Sequence, residues 1–374
     1  MGRSLRMRVA LSGAAAVALG LSVIGPASAE TVTVVASGLD NPRGIDVAAN
    51  GRVYVAEAGA GRIAVIHRGV VKTFLGGLPS LTSPEGETTG VVNVDAQANA
   101  VVAAIGGGPQ DVDARFDTAI RATPGHTRRL ANIQAYRDAH PEPACAPNAN
   151  PVAWCDLDQP PFATDSNAYG IVSMDGAETF VTDAAGNDVL LIGPSGKVST
   201  VAKFPNHLVG TAHLPPFLQI PPDIQLPAEP VPTSITIGPD GWLYIGELTG
   251  FPFTPGASRI WRVDPHARNV TCDAAATSGP CTVYATGFTS VIDLDWGPDG
   301  ALYVAEMIKN GVGNLFFGSN DLAGAVIRVQ GSTRTELAAG QLILVGGVAA
   351  AKGAVYVTTG DVTPDAGAVV RISG

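Results

Sequence analysis

Apolar and polar residues alternate with a period of two along Val231–Glu247, and a Gly238-Pro239-Asp240-Gly241 turn divides the run. Two short alternating strands around such a turn predict a β-hairpin. The pattern returns in Ile292–Glu306 around Gly297-Pro298-Asp299-Gly300, and weaker copies run Gly44–Tyr54, Gly170–Phe180 and Gly346–Tyr356. In all five, an aromatic stands ten residues after the first anchor: 44→54, 170→180, 234→244, 293→303 and 346→356. Constant spacing within the unit and variable spacing between units marks a repeated module with loop insertions. A sixth copy, Gly90 to Ala103, fills the one gap and carries Val101 or Val102 where the others carry an aromatic.

Thr31–Ala36 is an alternating strand without a partner in the first unit, whereas the last unit, ending in Val369–Ile372, stops one strand short. The two deficits are complementary. The pattern therefore predicts an all-β fold, a six-bladed β-propeller whose ring is closed by the N-terminal strand joining the last blade. Repeat one serves as a template, with strands at 45–47, 53–56, 62–66 and 71–75. Tyr54, Phe180, Tyr244, Tyr303 and Tyr356 then fill the wedges between blades and belong to the core.

The pattern dissolves in three insertions, 106–164, 206–230 and 307–325, the first of which is expected to hold an amphipathic helix from Arg128 to Ala139. In a propeller the b–c and d–a connections share one face. These insertions and a shorter one at 248–258 fall there, so that upper face is where function is expected. His207 and His213, in Pro-rich insertion, are expected to be exposed.

Composition narrows the picture. Only 15% of residues are charged, while 45 Gly and 28 Pro lie between apolar runs, which is a turn-rich all-β balance. Residues 1–29 read as a signal peptide: Arg3, Arg6 and Arg8 precede an apolar stretch, and Ala27-Ser28-Ala29 has the small-x-small form. Residues 30–374 then form a single domain, secreted and extracellular, with no membrane span after cleavage. Loss of three arginines takes the 23 basic residues to 20 against 33 acidic ones, a formal charge of −13. Such a surface repels phosphate backbones, so nucleic acid is not an expected partner. Cys145 with Cys155 and Cys272 with Cys281 form two close pairs, expected as local disulfides contributing about 2.5–3 kcal/mol each.

Three positions after the aromatic, four units place a carboxylate: Glu57, Asp183, Glu247 and Glu306. Equivalent positions in a ring lie at equal radius and height, which predicts that the four acids gather at the upper mouth of the channel. Two readings are open. Arg43, Arg62, Arg259 and Lys309 could pair with them, or they could hold a cation, Ca²⁺ by the hardness of oxygen ligands, with Asn41, Asn167 or Asn187 adding neutral oxygens. No Gly-x-Ser-x-Gly, His-Glu-x-x-His or phosphate-loop motif occurs.

Gly38-Leu39-Asp40-Asn41-Pro42-Arg43-Gly44, Asp165-Ser166-Asn167-Ala168-Tyr169-Gly170, Pro232-Thr233-Ser234, Glu247-Leu248-Thr249-Gly250-Phe251-Pro252-Phe253 and Ile292-Asp293-Leu294 resemble the ScyD/ScyE family of exported propellers, related to NHL-type repeats. The resemblance spans nearly all of residues 30–374 and implies the fold. Asn41, Arg43, Asn167, Tyr169, Thr233 and Asp293, which lie in the matching pieces, are the ligand-binding candidates. The expected role is binding or scaffolding by a monomer, with a small molecule or cell-surface partner on the upper face. The alternative is a Ca²⁺-dependent hydrolase of lactone type, and a quinone-cofactor dehydrogenase lacks the basic cluster such a cofactor needs.

Overall fold

The computed structural model describes residues 30–84, 86–145, 150, 152–157, 164–174 and 178–374. The leader predicted at 1–29 lies outside them. Six sheets stand in a ring, and their inner strands are Pro42–Val47, Thr88–Ala96, Ala168–Met174, Pro232–Ile237, Val291–Trp296 and Val345–Ala351. Each inner strand packs against the next, and the last packs against the first, so the circle is complete. Closure comes from the predicted strand: Thr31–Leu39 pairs antiparallel with Gly367–Ser373 as the outer strand of blade six.

All six inner strands slip register against their second strand near the upper end, between Pro42 and Ile45, Val91 and Asn93, Ala168 and Ile171, Pro232 and Ser234, Val291 and Asp293, and Val345 and Gly347. A bulge there bends the strand and re-aims the residues that follow. Neighbouring inner strands meet closely just beyond it. A Cβ on Gly44 would lie 2.6 Å from Asn93 Cγ, and one on Gly170 would lie 2.9 Å from Ser234 Cα, so glycine is needed at both.

The hairpin turns are anchored by their own aspartates. In blade four, Tyr244 OH and Arg262 Nε both donate to Asp240, and in blade five Tyr303 OH and Arg328 Nε donate to Asp299. Tyr244 also lies edge-on to Tyr284 in its own blade and Trp296 in the next. The recurrent aromatics Tyr54, Phe180, Tyr244 and Tyr303 are buried, as expected of wedge residues, and Tyr356 is partly buried.

Blade two corrects two expectations. The stretch 106–164 contains its outer strands, Thr118–Thr123 and His126–Asn132, so the blade is complete. The predicted helix starts at Ile133, not Arg128, because Arg128 and Arg129 are drawn into the sheet opposite Arg121 and Ile120. Asn132 caps the helix through Ala135 N. Val102 occupies the aromatic slot, and its hairpin turn is one residue shorter than in blade one: Ala96 pairs with Val101 where Val47 pairs with Val53.

Both predicted disulfides form, Cys145–Cys155 and Cys272–Cys281, and point to an oxidising compartment. The second closes a loop of blade four immediately after Val270–Thr271, which pairs with the outer strand of blade three. No helix among the described residues is long and apolar enough to cross a membrane.

Substitution Gly44→Val suits a strand by propensity but drives a side chain into Asn93. Chemical denaturation is expected to show a loss of about 1–3 kcal/mol. An unchanged midpoint would show that the seam has slack.

Candidate functional site

The ring brings residues from four blades together at the upper mouth of the channel. Arg43, near the start of the first inner strand, donates from Nη1 to Tyr169 OH at 3.3 Å and from Nη2 to the Thr88 carbonyl at 2.7 Å. Its Nε lies 3.3 Å from Asp361 Oδ1, and both side chains are buried. Burial alone would lower the Arg43 pKa, but Asp361 together with Tyr169 and Glu87 more than offsets it and keeps the guanidinium charged. Burial raises the Tyr169 phenol above its ordinary value, so it stays protonated. Asn167 Oδ1 accepts from Gly107 N at 2.8 Å, which ties the entry of blade three to blade two. A cleft of about 220 Å³ opens beside these groups, lined by Arg43, Glu87, Thr88, Thr89 and Asn167 with Leu81 and Val92.

Of the six ligand candidates, Arg43 and Asn167 therefore share one cleft and Tyr169 stands behind Arg43. The others have structural work. Thr233 donates to the Val291 carbonyl at 2.6 Å, and Asp293 accepts from Val348 N at 3.0 Å, each across a boundary between blades. Asn41 is buried at a corner in left-handed backbone (φ 49°), a conformation Asn tolerates.

The four repeat acids do not gather. Three close the corner of their own blade by taking a backbone N–H, and the fourth takes an indole N–H. Glu57 accepts from Asp40 N at 3.0 Å and pairs with Arg62 at 2.7 Å. Asp183 accepts from Asn167 N at 2.8 Å and pairs with Arg137 at 2.9 Å, while Glu306 accepts from Thr289 N at 2.7 Å. Glu247 accepts from the Trp261 indole. Burial lifts Glu247 and Glu306 to about 7. Of the other anticipated cations, Arg43 turns to Asp361 and Lys309 to Glu336. Among the described residues no three His, Cys, Asp or Glu side chains are placed to hold a metal ion. The acids do not fit a shared Ca²⁺ site, because each is held by its own backbone N–H or side-chain partner and no three of them are placed together.

The sequence reading named Asp293 but missed the set of inner-strand acids to which it belongs. Asp46, Asp95 and Asp295 occupy one repeat position, and Asp293 with Asn93 lies one step above. They surround a channel space of about 70 Å³. Asp46 accepts from Ala96 N at 2.6 Å, Asp95 from Ser173 N at 3.0 Å and Asp295 from Ala350 N at 2.7 Å, each in the following blade. Burial lifts Asp46 and Asp293 to about 7 and raises Asp95 and Asp295 as well. The signal was present in the sequence as acids at alternate positions, Asp293-Leu294-Asp295 and Asn93-Val94-Asp95.

A further buried group fastens the blade-two insertion. Arg137, from helix Ile133–Ala139, reaches Asp183 and Asp188 at 2.9 Å each and occupies the space a Cβ on Gly186 would need. His207, expected at the surface, is buried where its strand pairs with Gln225–Ala228, and burial lowers its pKa to about 4.

No protein-family model matches the chain, and no curated protein does. Among solved structures, a Thermus thermophilus protein assigned as an oxidoreductase (glucose dehydrogenase) aligns at a TM-score of 0.54 with 16% identity, covering 92% of this chain and 99% of its own. The PQQ-bound aldose sugar dehydrogenase of Streptomyces coelicolor aligns at 0.52 with 12% identity, covering 93% and 99%. A streptogramin B lyase aligns at 0.49 with 13% identity, covering 92% and 97%. What the chain shares with the first two is the overall fold.

Replacing Arg137 by Met leaves Asp183 and Asp188 buried without their cation, and a loss of about 3–5 kcal/mol is expected in denaturation. Titration gives a second expectation. A carboxyl whose folded pKa is raised contributes stability below its unfolded pKa and loses it as pH rises through the folded value. For Asp46 that window runs from about 4 to about 7. The stability difference between wild type and Asp46→Asn should therefore move against wild type across it. Movement the other way would show Asp46 to be stabilised as a carboxylate.

Proposed function

We propose that this chain is an exported binding propeller whose upper-face cleft, centred on Arg43 and Asn167, holds a small neutral molecule rich in hydroxyl groups. The observation that carries this reading is the convergence of Arg43, Glu87, Thr88 and Asn167 from three blades on one cleft of about 220 Å³. A pocket bordered by a fixed guanidinium and an exposed carboxylate suits a ligand that both accepts and donates hydrogen bonds. An anionic ligand would meet Glu87 there, and a cation would meet Arg43. The signal-like leader and the two disulfides support export, and the ScyD/ScyE resemblance supports the same reading.

Hydrolysis through Ca²⁺ draws no support from the rim acids, since each is already held by its own partner. A quinone cofactor with several carboxylates would find Arg43 alone among cations lining this cleft, and that guanidinium is bound to Asp361. No step is derived through either group.

Calorimetric titration with monosaccharides, cyclic polyols and sugar lactones tests the reading. Saturable binding that Glu87→Gln weakens severalfold and Arg43→Met weakens about tenfold or more is expected. Absence of saturation by any neutral polyol at millimolar concentration in the folded wild type would overturn it. Turnover of a lactone abolished by chelation would point to the hydrolase instead.

A further inference from the structure

Five of the eleven phenylalanines of this aromatic-poor chain, Phe217, Phe251, Phe253, Phe316 and Phe317, meet on the upper face although they come from three separate insertions. Phe253 and Phe316 stack at 5.2 Å and 19°, Phe251 lies edge-on to Phe253, and Phe217 lies edge-on to Phe317. Core aromatics are buried, but here Phe217 is 66% exposed, Phe316 65% and Phe251 45%. Phe253 also adopts a left-handed backbone (φ 62°), which a bulky side chain takes only where its surroundings impose it. The insertions are bound to one another: Thr254 Oγ1 donates to the Gly210 carbonyl at 2.8 Å, and His213 Nε2 lies 2.8 Å from the Pro252 carbonyl.

Between these insertions lies a second cleft of about 180 Å³, lined by His213, Phe253, Asn310, Asn314, Phe317 and Ser319. A cavity of about 150 Å³ with aromatic walls accommodates a benzene ring. The polar lining is specific in what it offers. Asp321 takes N–H groups of both asparagine amides, from Asn310 Nδ2 to its carboxylate at 2.6 Å and from Asn314 Nδ2 to its carbonyl at 2.8 Å. A carbonyl next to His213 Nε2 requires that nitrogen to donate, which leaves Nδ1 an acceptor. Each amide keeps its Oδ1 and one N–H, and His213 keeps Nδ1, so a guest's O–H or N–H finds acceptors here, and no Lys, Arg, Asp or Glu lines the space.

We infer that this cleft is a binding site for a neutral planar aromatic ring bearing O–H or ring N–H donors. Phe253 and Phe317 flank the ring, Asn310, Asn314 and His213 receive its donors, and exposed Phe316 covers a second ring where the ligand has one. The site is separate from the Arg43 cleft and does not depend on the function proposed there.

Saturation-transfer NMR and calorimetry with p-cresol and indole test the assignment, using toluene and 4-methylcyclohexanol as probes lacking the donor or the ring. Tighter binding of p-cresol and indole than of either control is expected. Phe317→Ala should weaken p-cresol about tenfold. Asn314→Ala should weaken p-cresol about fivefold and leave toluene unchanged. Equal binding of 4-methylcyclohexanol and p-cresol would overturn the assignment, as would wild-type affinity in both variants with their fold verified by circular dichroism. So would a dimer in sedimentation velocity that Phe316→Ser disperses while p-cresol does not bind, since the phenylalanines would then be covered by a second copy of the chain.

Discussion

An inner strand of a closed ring has a ladder partner on one side only, and the backbone N–H groups facing its other neighbour must find acceptors or remain buried and unpaired. This chain supplies those acceptors from the preceding blade. Asp46 reaches blade two, Asp95 blade three, and Asp293 and Asp295 both reach blade six. Hydroxyls bind carbonyls at two further boundaries, Thr233 to Val291 and Thr358 to Arg43. At the remaining boundary, between blades three and four, Val231 N donates to Asn187 Oδ1 at 3.1 Å and Phe204 packs against Trp261 in a shared apolar cluster. Val270–Thr271, just ahead of the second disulfide, also crosses there from one blade to the other. Every seam thus has its own device.

Those devices settle where function can reside. Aspartates that bind backbone N–H groups along the channel are committed to holding the circle, as are the acids that close the corners. The d–a and b–c connections share that duty only in part, through Asn167 and Asn187. They hold Asn167 and Glu87 beside Arg43 on one part of the upper face, and the phenylalanine wall on another. A rigid ring with free loops on one side separates stability from recognition, so the loops can differ greatly between propellers while the blades remain alike.

How much of this could be read from the residues depends on the range of the interaction. Alternation and turn chemistry act over a few positions, so the Gly-Pro-Asp-Gly hairpins and the ten-residue spacing to Tyr244 and Tyr303 led directly to blades. Closure by Thr31–Leu39 followed from counting strands. The fate of Glu57, Asp183, Glu247 and Glu306 was not accessible in the same way. Equal radius and height were sound geometry, but three of the four take the N–H of a residue sixteen or seventeen positions upstream, and a backbone donor leaves no trace in side-chain identity. Arg128 and Arg129 fit a helix by spacing, and the pairing that places them opposite Arg121 and Ile120 overrode that local pattern.

The phenylalanine wall illustrates the same limit from the other side. Phe217, Phe251 and Phe316 stand in different insertions, and nothing in the spacing of residues 217, 251 and 316 relates them. Their meeting follows from the ring, which sets the upper connections of blades four and five beside the hairpin that leads into blade four. Isolated exposed phenylalanines need no explanation on a protein surface, but five in mutual contact around an uncharged cleft form a contiguous apolar feature of the kind monomeric surfaces tend to avoid. With acidic residues outnumbering basic ones 33 to 23, the chain is more strongly charged elsewhere, so a neutral guest meets its complement at this wall rather than across the rest of the surface. Two chemistries consequently share one face: a polar cleft organised by Arg43, and an aromatic cleft edged by uncharged amides.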